Sequence, residues 1–191
     1  MATVHPTAVI EPGAELDDDV RIGPYAIVWA DVHIGARTVV GSHTVLDGRV
    51  GLGSDCQSEE GVIMANQDTL GGHIEVGRHA IISGLTASHQ IVRIGEYAFV
   101  GGCSGVNQDI PPYLKVQGVP AKPLGLNAVG LRRHGFSTET IHALKEAYRI
   151  VFLSDLNTSQ ALERMEKEFP SSPEVQRFIG FIKRSQRGIS K

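Results

Sequence analysis

The chain of 191 residues reads as a parallel β-helix followed by a helical region, and three observations carry that reading. A six-residue beat runs from Val4 to Pro111. It stops abruptly at a proline pair. Three capped amphipathic patterns follow it.

The beat is the strongest signal. Every sixth residue from Val4 gives Val4, Ile10, Leu16, Ile22, Val28, Ile34, Val40, Leu46, Leu52, Ser58, Met64, Leu70, Val76, Ile82, Ser88, Ile94, Val100 and Val106, and sixteen of these eighteen are aliphatic, counting Met64. The residue four further on is usually small or β-branched, as at Ala8, Ala26, Val32, Thr44, Cys56 and Val62. A short repeat of this kind cannot bury its own apolar side chain until its neighbours stack on it, which is the logic of a solenoid. With one hexad per side of a triangular coil, eighteen hexads make six coils over residues 1–111, a prism about 29 Å tall at the ~4.8 Å spacing of strands. The aliphatic positions face inward, and the Gly or acidic residue that often follows is expected to turn the corner. Six thin coils leave long flat faces that one chain does not cover, so a cyclic trimer is expected.

Asp68 breaks the pattern. It falls on an inward beat, where an unpaired carboxylate is costly, so residues 57–69, with Glu59 and Glu60, are expected to leave the coil as a loop anchored at a cleft. Cys56 and Cys103 fall on or near inward beats without metal-ligand spacing and read as reduced core residues. No metal site is expected.

Beyond Pro111, residues 112–191 form a second region. Pro111, Pro112, Gly118, Pro120, Pro123 and Gly125 suggest a linker. Ser137 then caps a helix over residues 138–152, with Phe136 stapled to Ile141 and with Leu144, Tyr148 and Val151 on one face. Asn157 and Gln160 form a capping pair ahead of Ala161, Leu162, Met165 and Phe169. Ser172-Pro173 opens a last helix carrying Val175, Phe178, Ile179 and Ile182, and Gly188 is placed to close it.

Charge divides unequally: residues 1–111 hold 5 Lys/Arg and 14 Asp/Glu, residues 112–191 hold 13 and 7, and the whole chain is at −3. A basic helical region beside an acidic prism suits an anionic partner such as a phosphorylated sugar or an acidic carrier protein. Nucleic acid is not expected, because no aromatic residues interleave with the basic ones. The absence of a long apolar run and of a charged-then-apolar leader points to a cytoplasmic protein without a transmembrane segment.

Three stretches together carry a family resemblance: Gly84-Leu85-Thr86-Ala87-Ser88-His89-Gln90, then residues 100–113 with Gly101-Gly102-Cys103-Ser104-Gly105, then residues 127–136 with the helices behind them. They resemble the UDP-N-acetylglucosamine O-acyltransferases that begin lipid A synthesis. The resemblance implies a left-handed β-helix, a homotrimer with clefts between subunits, and transfer of a 3-hydroxyacyl chain from acyl carrier protein to a sugar hydroxyl, with no tightly bound cofactor. It also shows a departure: the chain is several coils shorter, and the missing part, between Thr44 and Leu70, includes the family's general-base histidine.

Acyl transfer to a hydroxyl needs a base near neutral pKa and donors for the oxyanion. His73, which matches a histidine the family uses near its site, is the remaining candidate for the catalytic base. His89 and Gln90 match substrate-binding positions. Gly102 matches the glycine that lets the acyl chain pass, although a tight corner would also require glycine. Asn127 and Arg133 match nucleotide-binding positions. Val129 replaces a glutamate that recognises the uracil and His134 a second arginine, so the acceptor reads as a nucleotide or amino sugar. Asn66-Gln67-Asp68 resembles a family loop that carries an aspartate. Gly118-Val119-Pro120-Ala121-Lys122 resembles coenzyme A-dependent hexapeptide transferases, which keeps an acyl- or acetyl-coenzyme A donor open, and loss of the usual base keeps open a non-catalytic trimeric binding or scaffold protein.

Overall fold

The computed structural model describes residues 1–47, 50–52, 61–70 and 73–191. Its first part is a left-handed parallel β-helix with three flat faces. The first face stacks strands Thr3–Val4, Arg21–Ile22, Val39–Val40, Ile63–Met64, Ile81–Ile82 and Phe99–Val100. The second runs from Val9–Ile10 to Gly105–Val106, and the third from Glu15–Leu16 to Arg93–Ile94. The pairings between coils are parallel, and apart from those of Ser88 with Leu70 and Val106 they put one aliphatic beat over another, as in Ile22↔Val40, Ile82↔Val100 and Leu52↔Val76. The described aliphatic residues of the beat from Ile22 to Val106 are accordingly buried, while Ser88 is half-buried. Val4, at the open end of the stack, stays 38 % exposed because no coil lies beneath it.

The stack has about six coils, as expected, but its register is not uniform. Below the middle of the stack, partners are 18 residues apart, as in Thr3↔Arg21. Across the middle they are 24 apart on all three faces: Val39↔Ile63, Val45↔Thr69 and Val50↔Ile74. Six additional residues of sequence therefore lie between Leu52 and Ile63. Residues 61–69 keep regular coil pairing and do not form the expected loop, while residues 57–60 lie outside the described residues. Asp68 sits in a regular coil, 0 % exposed. Cys56, Glu59 and Glu60 lie outside the described residues.

The corners also differ from expectation. Asp19, Tyr25, Asp31, Arg37, His43, Gln67, His73, His79, Leu85, Ile91, Tyr97 and Cys103 all adopt a left-handed backbone with φ between 54° and 63°, mostly six residues apart. That conformation costs an L-residue about 1–2 kcal/mol. Hydrogen bonds to the coil below offset it, as in Tyr97 N–H to the Arg78 carbonyl (2.9 Å) and Leu85 N–H to the Asn66 carbonyl (3.1 Å). Glycine serves a different need here. A Cβ on Gly77 would lie 2.5 Å from the Glu96 nitrogen, and one on Gly95 2.4 Å from the Pro112 nitrogen, so these residues permit the closest approach of successive coils. Cys103, being at a corner, is exposed and not in the core.

The expected linker is ordered. Pro111 and Pro112 are buried, and strands Leu114–Gln117 and Lys122–Leu126 form an antiparallel hairpin whose first strand pairs in parallel with Phe99–Val100. The hairpin turn contains the cis Val119–Pro120 bond. A short helix not expected from sequence follows, α1 (Ala128–Arg133), and then α2 (Thr138–Phe152), α3 (Thr158–Glu168) and α4 (Pro173–Lys183). The caps are Ser137, the Asn157–Gln160 capping box and Ser172, as the sequence patterns indicate. Gly188 does not close α4, which ends at Arg184. It lies in a tail that returns to the prism, where the Gly188 carbonyl accepts from Asp109 N–H (3.0 Å) and the Asp109 carbonyl accepts from Ser190 N–H (3.0 Å).

Two buried polar junctions hold the helices to the prism. Asp109 accepts from Arg93 N–H (2.9 Å) and from the Ser185 hydroxyl (2.7 Å). Tyr113, fully buried, donates to Glu96 and accepts from Arg177 (3.1 Å), while Glu96 also meets Arg78 (2.7 Å) and Arg177 (3.0 Å). Burial pushes the Tyr113 phenol pKa far up, so it remains a neutral donor.

Candidate functional site

The three corners carry three groups of side chains. On the corner between the second and third faces, His73 and Ile91 stand one above the other in the left-handed conformation. The exposed His73 borders a cavity of about 570 Å3 with Glu75, Ile91, Arg93, Asp109, Arg184 and Gln186. Arg93 is paired with Glu75 (2.9 Å). None of the described residues hydrogen-bonds the His73 ring.

His89 and Gln90 precede the same corner. The His89 N–H donates to the Val106 carbonyl (2.7 Å), which ties the segment to the coil above. His89 Nδ1 lies 3.1 Å from the Gln90 carbonyl. A carbonyl only accepts, so Nδ1 carries the proton in this contact and Nε2 of the neutral ring keeps its lone pair. The Gln90 carbonyl also accepts from Arg187 Nη1 (3.1 Å), and Arg187 Nε donates to the Asn107 carbonyl (3.2 Å). The tail after α4 thereby holds the His89-Gln90 segment. Asp109 belongs to the quoted 100–113 stretch, but only the strongly basic tail hinted at Arg184 and Arg187.

On the corner between the third and first faces, His79, Tyr97 and Tyr113 form a column of rings, with His79 and Tyr97 centred 5.0 Å apart. His134, just after α1, packs on His79 (4.5 Å) and edge-on to Tyr97 (5.2 Å). Asn127 joins the two regions: its Nδ2 donates to the Tyr97 carbonyl (2.9 Å), and its Oδ1 accepts from Gly130 N–H (3.1 Å) as the cap of α1. Both ends of that amide are thus engaged within the chain. Arg133 is exposed in the last turn of α1, and Val129 is exposed on the same helix.

The remaining corner holds Asp68 and Gly102. A Cβ on Gly102 would lie 3.2 Å from the Gly84 carbonyl oxygen, so a side chain there would be tightly placed against the neighbouring coil. Asp68 continues an inward column of Thr44, Thr86 and Ser104, all buried. Its Oδ1 accepts from Thr86 N–H (2.9 Å), while Oδ2 has no partner among the described residues. Burial outweighs the hydrogen bonds from Thr86 and Ala65 and pushes its pKa from 3.8 up to about 7.

Within one chain these groups stay on separate corners: His73 beside His89 and Gln90 on one, Asn127 and Arg133 near another, Asp68 and Gly102 on the third. Among the described residues no group of three or more His, Cys, Asp or Glu is arranged to hold a metal ion, and no helix is long and apolar enough to cross a membrane.

Comparison with known proteins gives one consistent neighbourhood. A family profile described as UDP-N-acetylglucosamine O-acyltransferase, domain 2, matches residues 109–190, and one described as bacterial transferase hexapeptide matches residues 13–48. An acyl-(acyl-carrier-protein)–UDP-N-acetylglucosamine O-acyltransferase of Anaeromyxobacter sp. (strain K) is 42% identical over 157 residues, a match that covers 82% of this chain and 61% of the relative. Its namesake in Thiobacillus denitrificans is 33% identical over 256 aligned residues and covers 99% of both chains. Since the present chain has 191 residues, whole stretches of that relative have no counterpart in it. Among solved structures, LpxA of Acinetobacter baumannii superposes with a TM-score of 0.67 at 28% identity, over 98% of this chain and 99% of that one. A UDP-N-acetylglucosamine acyltransferase of Arabidopsis, at 24% identity and a TM-score of 0.68 over 100% and 98%, has the same fold.

Proposed function

The chain belongs to the UDP-N-acetylglucosamine O-acyltransferase family, and on that premise we propose that it transfers a 3-hydroxyacyl chain from acyl carrier protein to a hydroxyl or amine of a nucleotide or amino sugar. The observation that carries the reading is the end-to-end identity with relatives of that name, helical region included. In this reaction the acceptor oxygen or nitrogen attacks the thioester carbonyl carbon, the new bond forms as the carbon–sulfur bond breaks, and the acceptor proton passes through the base to the departing thiol. His73 is the proposed base, with His89, Gln90, Gly102, Asn127, Arg133 and Asp68 around the substrates. Because these residues stand on three corners of one prism, the working site requires corners of neighbouring subunits to meet, which a homotrimer provides.

A second assignment of the base rests on one contact. His89, with Nδ1 turned to the Gln90 carbonyl, has an Nε2 lone pair of defined direction, whereas no described residue orients His73. Turnover should be measured with acyl carrier protein and coenzyme A donors against UDP-N-acetylglucosamine and free amino sugars, for the wild type, His73→Ala and His89→Ala. A base lost from His73 lowers turnover about 10²- to 10⁴-fold with the assembly intact, while His89→Ala then acts mainly on KM. The reverse pattern assigns the base to His89. Activity with coenzyme A alone would identify a coenzyme A-dependent transferase. Absence of turnover with every pair would leave a trimeric binding protein and end the enzymatic reading.

A further inference from the structure

A second cleft, of about 510 Å3, lies between the third face of the prism and α4. That volume falls within the ~300–1,000 Å3 usual for small-molecule sites. Its prism side presents Glu75, Arg93 and Pro112, and its helix side presents Pro173, Arg177, Gly180 and Arg184, which recur at helical spacing along one stripe of α4.

Gly180 is the telling residue. In the middle of an 11-residue helix, glycine costs about 1 kcal/mol relative to alanine. Neither backbone conformation nor packing asks for it, because an added Cβ would meet nothing closer than Arg184 Nη1 at 3.4 Å. What the missing side chain leaves is open space facing the cleft.

The charges around that space are unbalanced. Four arginines line it against two carboxylates, Glu75 and Glu96. Arg78 is paired with Glu96 (2.7 Å), Arg93 with Glu75 (2.9 Å), and Arg177 with Glu96 and Glu174 (3.0 Å each). Arg184 has no acidic partner among the described residues. Beside it the Arg93 guanidinium lies 4.8 Å from the centre of the Phe181 ring, so the wall near the free cation is flat and largely apolar.

The geometry points to a binding site for a small anionic amphiphile, its carboxylate or phosphate head on Arg184 and its apolar body along Gly180, Phe181, Pro173 and Pro112. The cleft adjoins the His73 cavity, with which it shares Glu75, Arg93 and Arg184, but it uses neither corner histidine and does not depend on the proposed transfer reaction.

Calorimetric titration of the purified full chain with octanoate and octyl phosphate tests the proposal, with inorganic phosphate and octanol as head-only and body-only probes. At least one octyl anion should bind tenfold or more tightly than either partial probe, and the tighter of the two identifies the head. Gly180→Leu should weaken that binding at least tenfold without lowering the melting temperature, since leucine fills the cleft and favours the helix. Arg184→Gln should abolish the preference for the octyl anion over octanol. If neither octyl anion exceeds the partial probes, or if Gly180→Leu binds as the wild type does, the site is refuted. Should Gly180→Leu melt lower, the exposed Arg184→Gln decides alone, and wild-type discrimination by that variant overturns the proposal.

Discussion

Asp68→Asn should make the protein more stable at neutral pH and remove part of its pH dependence. The carboxyl sits in an inward column of the prism, one oxygen bonded to Thr86 N–H at 2.9 Å and the other without a partner among the described residues. Its pKa rises from 3.8 to about 7 because burial disfavours the charged form. Between these two values the folded state holds a proton that the unfolded state has released. Stability from this group is therefore complete below pH ~4 and is lost as pH rises through ~7. At 1.36 kcal/mol per pH unit the loss is at most about 4 kcal/mol, and screening through the thin coil wall brings it to about 2 kcal/mol. For a chain of this size, 2 kcal/mol corresponds to roughly 4–8 °C in melting temperature. Thermal melts of both proteins at pH 4 and pH 8 read the effect directly. The wild type should fall relative to Asp68→Asn by that amount between the two pH values. Parallel pH dependence in the two proteins would show that Asp68 does not titrate in the fold and that the burial argument is wrong.

Light scattering at micromolar concentration should give about three times 20.5 kDa, and a clean monomeric mass would rule out a site shared between subunits. Val100→Asp places an unpaired charge in a fully buried position of the stack and should leave the protein insoluble or unfolded by circular dichroism; a wild-type melt would refute the register. Gly95→Ala drives a Cβ to 2.4 Å from the Pro112 nitrogen, a backbone clash expected to cost about 1–3 kcal/mol in urea unfolding. Asp109→Ala removes the acceptor of Arg93 N–H and the Ser185 hydroxyl and should speed amide exchange in residues 185–190 while the lower coils remain protected; unchanged exchange would mean that the tail is held by other contacts.

Much of the architecture is written in local spacing. Each hexad has a single way to bury its aliphatic residue, by stacking, so the beat specifies parallel coils and their inward residues without any knowledge of distant contacts. The helices behave alike, because Ser137, Asn157, Gln160, Ser172 and Pro173 act within one turn of themselves. The sequence also carries the family signature in residues 84–90, 100–113 and 127–136. What it could not show is where the spacing between paired coils changes, since an inserted multiple of six keeps the beat while changing the partners from 18 to 24 residues apart. For the same reason Asp68 reads as a residue expelled from the coil, when the neighbouring column of Thr44, Thr86 and Ser104 and the Thr86 amide let the coil keep it as a buried acid. Tertiary structure alone decided how the tail returns to Asp109 and Gln90, why Asn127 spans prism and helix, and how α4 leaves a cleft at Gly180. Those outcomes depend on contacts between residues dozens of positions apart, and no local period encodes which distant groups will face each other.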